Sequence, residues 1–195
     1  MKIGIDISQI AYEGTGVAQY VRLITEALMR THPEHEYVLF GASLRKKQVF
    51  FDYVKQIPGN PRLVVVTVPP TILDWLWNRL HIVPIEWFIG AIDVFWSSDW
   101  TQPPLSKARG ITTIHDLSIM RFPEESHNKA EVRFAGGTLA PNIVATQKRR
   151  LMRATGECQA FLCDSEATKK DAHTLLNIPF ERLHVVYPGY KGAAL

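Results

Sequence analysis

Thr112-Thr113-Ile114-His115-Asp116-Leu117-Ser118 joins the end of an apolar β-run to a histidine and an aspartate. In an open α/β sheet, ligands are held outside the carboxyl ends of the strands, so a polar pair at this place reads as a handle for a ligand. The same succession of apolar run and polar cluster recurs. The run at 3–7 leads into Ser8-Gln9 and then Gly14-Thr15-Gly16, Val94-Phe95-Trp96 leads into Ser97-Ser98-Asp99, and Phe161-Leu162-Cys163 leads into Asp164-Ser165. Polar groups from separate strands are therefore expected to converge on one edge of a single sheet.

Working outward, strands are predicted at 2–7, 37–40, 63–68, 94–96, 111–114, 161–163 and 183–187, with helical patterns between them. The clearest helix is 15–30, where Val17, Tyr20, Val21, Ile24 and Leu28 follow helical spacing behind a glycine-rich start. Another is predicted at 142–154. Alternation of β and α with near-continuous apolar strands implies an α/β fold, a Rossmann-like doubly wound parallel sheet with helices on both faces. Two regions break the regularity. The stretch 118–141, with Pro123, Gly136-Gly137 and Pro141, reads as a long excursion of the kind that forms binding loops. The Trp-rich segment 73–88 is interrupted at Pro84.

With 195 residues, 46% hydrophobic and 21% charged, the chain is expected to form one domain, at 1–190, followed by a linker or tail at 191–195. A net charge of +3 suits anionic ligands or a membrane surface, and without a dense basic face it argues against nucleic acid as a partner. Cys158 and Cys163 are the sole cysteines, and their odd spacing along one strand points to neither a disulfide nor a zinc site. A reducing cytoplasm is the expected compartment. Met1-Lys2 runs directly into a β-pattern, so no signal peptide is expected. The apolar stretch 71–92 contains Asp74, Asn78, Arg79, His81, Pro84 and Glu86, which argues against a spanning helix.

Each candidate site has a plain structural reading beside the functional one. Gly14-Thr15-Gly16 ahead of a helix permits close backbone approach and offers free N–H groups to a phosphate, or is simply a tight turn. It is not a dinucleotide fingerprint, because Gln19 stands where the third glycine belongs, and it lacks the Lys-Ser/Thr pair of a P-loop. His115-Asp116 is a substrate handle, or a histidine bonded to main chain beside a turn-forming aspartate. Asp164-Ser165-Glu166 reads first as a helix cap. Arg45-Lys46-Lys47 and Lys148-Arg149-Arg150 read as solvated helix faces; joined with Trp75, Trp77 and Trp87 they also suit peripheral contact with anionic headgroups.

Four pieces in order resemble the amino-terminal half of a glycosyltransferase of family 4. They are Gly14-Thr15-Gly16-Val17-Ala18-Gln19-Tyr20-Val21, Thr113-Ile114-His115-Asp116-Leu117-Ser118 with Arg121-Phe122-Pro123-Glu124, Cys163-Asp164-Ser165-Glu166-Ala167-Thr168-Lys169-Lys170-Asp171, and Val185-Val186-Tyr187-Pro188-Gly189. The resemblance implies one half of a GT-B fold, in which two Rossmann-like domains face each other across a cleft and a sugar passes from a nucleotide donor with retention of configuration. It gives His115 the role of the catalytic-site histidine that reaches the donor sugar. It assigns donor phosphate and sugar binding to Gly14, Gly16, Asp116 and Ser165, and acceptor binding to Arg121 and Phe122. It implies no metal and no bound cofactor. The partners expected from it are a nucleotide sugar, a sugar-containing acceptor (a glycan, a lipid-linked or a small molecule) and a carboxyl-terminal donor-binding domain that these 195 residues do not carry. The expected location is cytoplasmic, with peripheral contact at the inner face of the membrane. Two other readings stand beside it: a non-catalytic α/β interaction module derived from such an enzyme, and a nucleotide-dependent enzyme of another Rossmann type, which Gln19 argues against.

Overall fold

The computed structural model describes residues 1–121 and 143–189. Seven strands form a single sheet in the order β3-β2-β1-β4-β5-β6-β7, every neighbouring pair parallel. They are β1 (Lys2–Asp6), β2 (Glu36–Ala42), β3 (Arg62–Val66), β4 (Val94–Ser97), β5 (Arg109–Ile114), β6 (Cys158–Cys163) and β7 (Leu183–Val185). The doubly wound parallel sheet expected from the sequence is the sheet observed. From β1 the chain moves outward through β2 and β3, then returns to place β4 on the other side of β1. The switch point of the sheet therefore lies between β1 and β4, where loops leave in opposite directions and a crevice opens.

Alternation along the strands feeds two cores. Ile5, Leu39 and Trp96 point to the face covered by α1 (Gly16–Thr31) and α2 (Lys47–Val54), where they meet Tyr20, Val21, Phe50 and Tyr53. Val38, Phe40 and Phe95 point to the other face. There they meet Leu73 at the end of α3 (Pro70–Leu73), Trp77 in the wider π-helical turn Asp74–Leu80 that continues it, and Ile89 at the end of α4 (Glu86–Ile89). Trp77 is fully buried, ringed by Phe40 and Phe88 at 5.7 and 5.9 Å, and its indole N–H donates to Val83 O. The segment breaks after Leu80 because His81 and Val83 adopt left-handed backbone, at φ of 57° and 63°.

A third cluster joins β5 and β6 to α5 (Ser118–Arg121), α6 (Ile143–Glu157) and α7 (Glu166–Leu176) through Ile114, Leu117, Leu151, Ala154, Phe161 and Ala172. Both cysteines are free and buried. Strand β6 starts three residues before the predicted 161, because a register shift at Gly110/Ile111 lets Cys158 pair with Gly110 and Ala160 with Ile111. Most of the predicted excursion 118–141, and the tail 191–195, lie outside the described residues. Among the described residues no helix is long and apolar enough to cross a membrane.

Gly110 sits where β5 passes closest to the end of α6. A Cβ there would stand 2.9 Å from Glu157 O and 3.0 Å from Cys158 Cα, both backbone atoms that cannot swing aside. Gly110→Ala is expected to lower stability by about 1–3 kcal/mol, as overpacking does. Urea unfolding checks this, and an unchanged midpoint would show that the strands separate without cost.

Candidate functional site

Because all strands run the same way, their carboxyl ends share one edge. Ile7, Trp96, Ile114 and Cys163 end the apolar runs there as buried side chains, and polar groups follow each of them. His115 comes directly after β5, and its Nδ1 lies 2.8 Å from Asp164 Oδ2 beyond β6. An ionised carboxylate offers only lone pairs, so Nδ1 is the ring's donor toward Asp164 and Nε2 is left for other partners. Among the described residues Nε2 has no hydrogen-bond partner. Tyr20 of α1 meets the imidazole edge-on at 4.9 Å. The ring is thus oriented from two sides, with 15% of its side-chain surface open.

Behind His115 stands an ion pair. Arg150 of α6 is fully buried, and its guanidinium donates to Ser98 O at 2.9 Å, to Thr113 O at 3.2 Å and to Thr112 Oγ1. It faces Asp99 at 3.6 Å. Asp99 keeps 24% of its side-chain surface, although protein surrounds it, because it lies at the floor of a concavity. Burial raises its pKa above the ordinary carboxylate range, with Arg150 and His115 pulling the other way. Asp99, His115, Asp116, Gln147 and Arg150 line a cavity of about 190 Å³ between the strand ends and α6. Its walls carry two carboxylates, an imidazole, an amide and a guanidinium, donors and acceptors that suit a hydroxyl-rich ligand.

The glycine loop follows β1 on the same edge and borders a separate groove. Gly14 has φ +85°, a left-handed conformation that favours glycine. Thr15 caps α1, its Oγ1 accepting from Ala18 N at 3.2 Å. Gly16 differs in kind: a Cβ built on it would meet no atom within 4 Å. Packing does not call for glycine at this position, and the space before the helix start is open. The loop borders a groove of about 720 Å³, lined also by Gln19, Arg22, Asp52 and Tyr53.

The remaining predicted site residues have structural partners. Asp116 Oδ1 accepts from Ser118 N and Ser118 Oγ, the turn-forming role, while its side chain still borders the smaller cavity. Ser165 caps α7 by accepting from Thr168 N at 3.1 Å, and Thr168 Oγ1 in turn donates to His115 O. Arg121 pairs with Asp171 at 3.3 Å. Phe122 lies outside the described residues. His115, Asp116, Gly14, Gly16 and Ser165 thus share the carboxyl edge.

Two expectations about the surface are corrected. Arg150 is not part of a solvated basic face, because its place on α6, four residues from both Thr146 and Ala154, turns it into the core with them. Trp77 is core, not a headgroup contact, whereas Trp75 and Trp87 are 54% and 77% exposed. The sequence shows Asp99 as one member of a strand-end cluster and Tyr20 as part of the first helix, but not their approach to His115. The helical spacing that buries Leu151 and Ala154 was the available signal for Arg150.

A family model described as Glycosyltransferase Family 4 matches residues 14–191. No curated protein matches the chain.

At the switch point Asp6 is 3% exposed, with Ser8 N donating to its Oδ1 at 2.8 Å. Burial raises its pKa above the ordinary 3.8, partly offset by hydrogen bonds from Ser8 and Ser98. A raised carboxyl favours the protonated fold. Its stabilising contribution is complete below the unfolded value of 3.8 and is lost as pH rises through the folded value. Asp6→Asn mimics the protonated acid, so its stability relative to wild type should improve as pH rises from below 3.8 to neutrality. Urea unfolding across that range checks this; a pH-independent difference would mean that Asp6 ionises in the fold as it does in the unfolded chain.

Proposed function

The chain belongs to glycosyltransferase family 4, and from that membership we propose that it is the acceptor-side half of an enzyme that moves a sugar from a nucleotide-sugar donor to a sugar-containing acceptor with retention of configuration. Transfer then requires a second Rossmann-like domain, in cis or in trans, to close the cleft and hold most of the donor. What supports this reading is an oriented His115, packed edge-on by Tyr20 of α1, on the same sheet edge as the open backbone at the start of that helix, Gly16.

The α1 start at Gly16 offers free N–H groups and the positive end of the helix dipole to the donor diphosphate, with no side chain in the way. His115 Nε2 accepts from a hydroxyl of the donor sugar, and Asp164 holds the ring so that this costs no reorientation. In a front-face mechanism the departing phosphate oxygen takes the acceptor proton, so the chain supplies no nucleophile. Neither metal nor bound cofactor is needed, because backbone dipoles and cations stabilise the leaving group. Asp116 and Ser165 complete the donor side, and their structural bonds place them beside His115.

The acceptor enters the cavity of about 190 Å³, where Asp99 and Gln147 present hydrogen-bonding groups to its hydroxyls. Arg121 and Phe122 are proposed as further acceptor contacts. The exposed Trp75 and Trp87 and the exposed Arg45, Lys46 and Lys47 are proposed to contact anionic headgroups when the acceptor is lipid-borne, and the enzyme is proposed to work at the cytoplasmic face of a membrane.

Gly16→Val tests the reading. The new side chain meets open space, so stability should change by less than about 0.5 kcal/mol. In the two-domain enzyme, transfer from UDP- or GDP-hexoses should fall by about two orders of magnitude or more, as for loss of backbone donors to a developing charge. Undiminished transfer by a folded variant would remove the phosphate from this loop.

A further inference from the structure

The sheet edge opposite the cleft carries a second cluster of chemically active side chains. His32 caps the carboxyl end of α1, Pro33 and Glu34 form the turn, and His35 precedes β2. His32 Nδ1 lies 3.2 Å from Glu34 Oε1, and His35 Nε2 lies 3.6 Å from the same oxygen. All three ligand atoms fall within 4.8 Å of one another. The two imidazoles are stacked, 5.9 Å apart and 13° from parallel.

We propose that His32, Glu34 and His35 form a binding site for a divalent cation of the zinc class, completed by water. The separations fit it. Bonds of about 2.0–2.2 Å in a tetrahedral zinc site place neighbouring ligand atoms about 3.3–3.5 Å apart, and the two measured N···O distances bracket that span. Two neutral imidazoles and one carboxylate form a borderline donor set, which selects zinc-class ions over magnesium or calcium, whose sites are built from oxygens.

The turn is held in place before any ion arrives. Tyr37 Oη shares its one hydrogen between Leu28 O at 3.1 Å and His32 O at 3.0 Å, His32 N donates to Leu28 O at 2.8 Å, and His35 N donates to His32 O at 3.3 Å. Pro33 removes further freedom. His32 and Glu34 keep more than half of their side-chain surface, so an ion reaches the cluster directly from solvent. His35 Nδ1 is buried without a hydrogen-bond partner, and its ring therefore enters the site through Nε2 alone.

Because strands β1 and β2 are parallel, this turn sits at the amino-terminal end of the sheet, away from His115 and Gly16. The ion would act as a clasp between the end of α1 and the start of β2, outside the chemistry of transfer. Its expected effect is on stability, through preferential binding to the folded chain.

Titration calorimetry of the intact, untagged chain with zinc chloride tests the assignment. One saturable site is expected, with affinity reduced by roughly tenfold or more in His32→Ala and in His35→Ala, at least the loss that follows from disturbing a ligand's support. Glu34→Gln, which preserves shape and weakens the donor, should also reduce affinity. Zinc should raise the Tm of wild type and leave that of His32→Ala unmoved; this second readout stands if His35→Ala fails to fold. No saturable binding in wild type, or equal binding in wild type and His32→Ala, would overturn the site.

Discussion

A guanidinium buried beneath the strand ends needs partners for its hydrogens and its charge, and the carboxyl edge is organised around those that Arg150 reaches, its Nε being left without one among the described residues. Its N–H groups bond to Ser98 O at the end of β4 and to Thr112 and Thr113 on β5, while its charge faces Asp99. Removing a cation from water costs several kcal/mol, which only close and well-directed partners offset. The consequence is positional. One side chain of α6 fixes the ends of two neighbouring strands to the helix that covers them, and a carboxylate and an imidazole are brought to the same cavity. Burial pulls Arg150 below its ordinary pKa and pushes Asp99 above its own, so desolvation outweighs the pairing on both sides. A guanidinium remains charged regardless.

The parallel sheet supplies the other half of the arrangement. Parallel strands put every departing loop on one edge, so groups distant in sequence become neighbours without a dedicated scaffold: Tyr20, Asp99, His115, Gln147 and Asp164 come from five separate elements or loops. Many of these groups hold the fold and face the cleft at once. Ser165 caps a helix whose Thr168 bonds to the carbonyl of His115, and Asp116 turns the chain while lining the cavity. At Asp116 a structural bond and a place in the cavity wall therefore coincide. Gly16 is the informative exception, since neither packing nor a positive φ requires it.

Legibility in the sequence followed the physics of each element. The strands were readable because buried parallel strands are continuous apolar runs, and α1 because Tyr20, Val21 and their neighbours repeat at helical spacing. His115 was readable because it stands directly after such a run. Arg150 and Trp77 were misread for one reason: a local pattern of charge or aromaticity states what a side chain is, while its burial depends on partners far along the chain, Ser98 and Thr112 for one and Phe40 and Phe88 for the other. The early start of β6 was hidden because a register shift belongs to the pair of strands and leaves no mark on either alone. The break after Leu80 was harder still, since His81 and Val83 adopt left-handed backbone without a glycine to announce it. Asp99 was visible as a polar residue at a strand end, but its setting is created by α6 folding over it.

The central claim is that the carboxyl edge of this sheet receives a nucleotide sugar between the start of α1 and His115. Titrating the ¹⁵N-labelled chain with UDP- and GDP-hexoses at millimolar concentration, and following the backbone amide resonances, tests it most directly. The account predicts weak, fast-exchange shifts concentrated at Thr15, Gly16, Val17, His115, Asp116 and Ser165. Shifts absent from these amides and gathered instead at the far edge, or along α2 and β3, would contradict it.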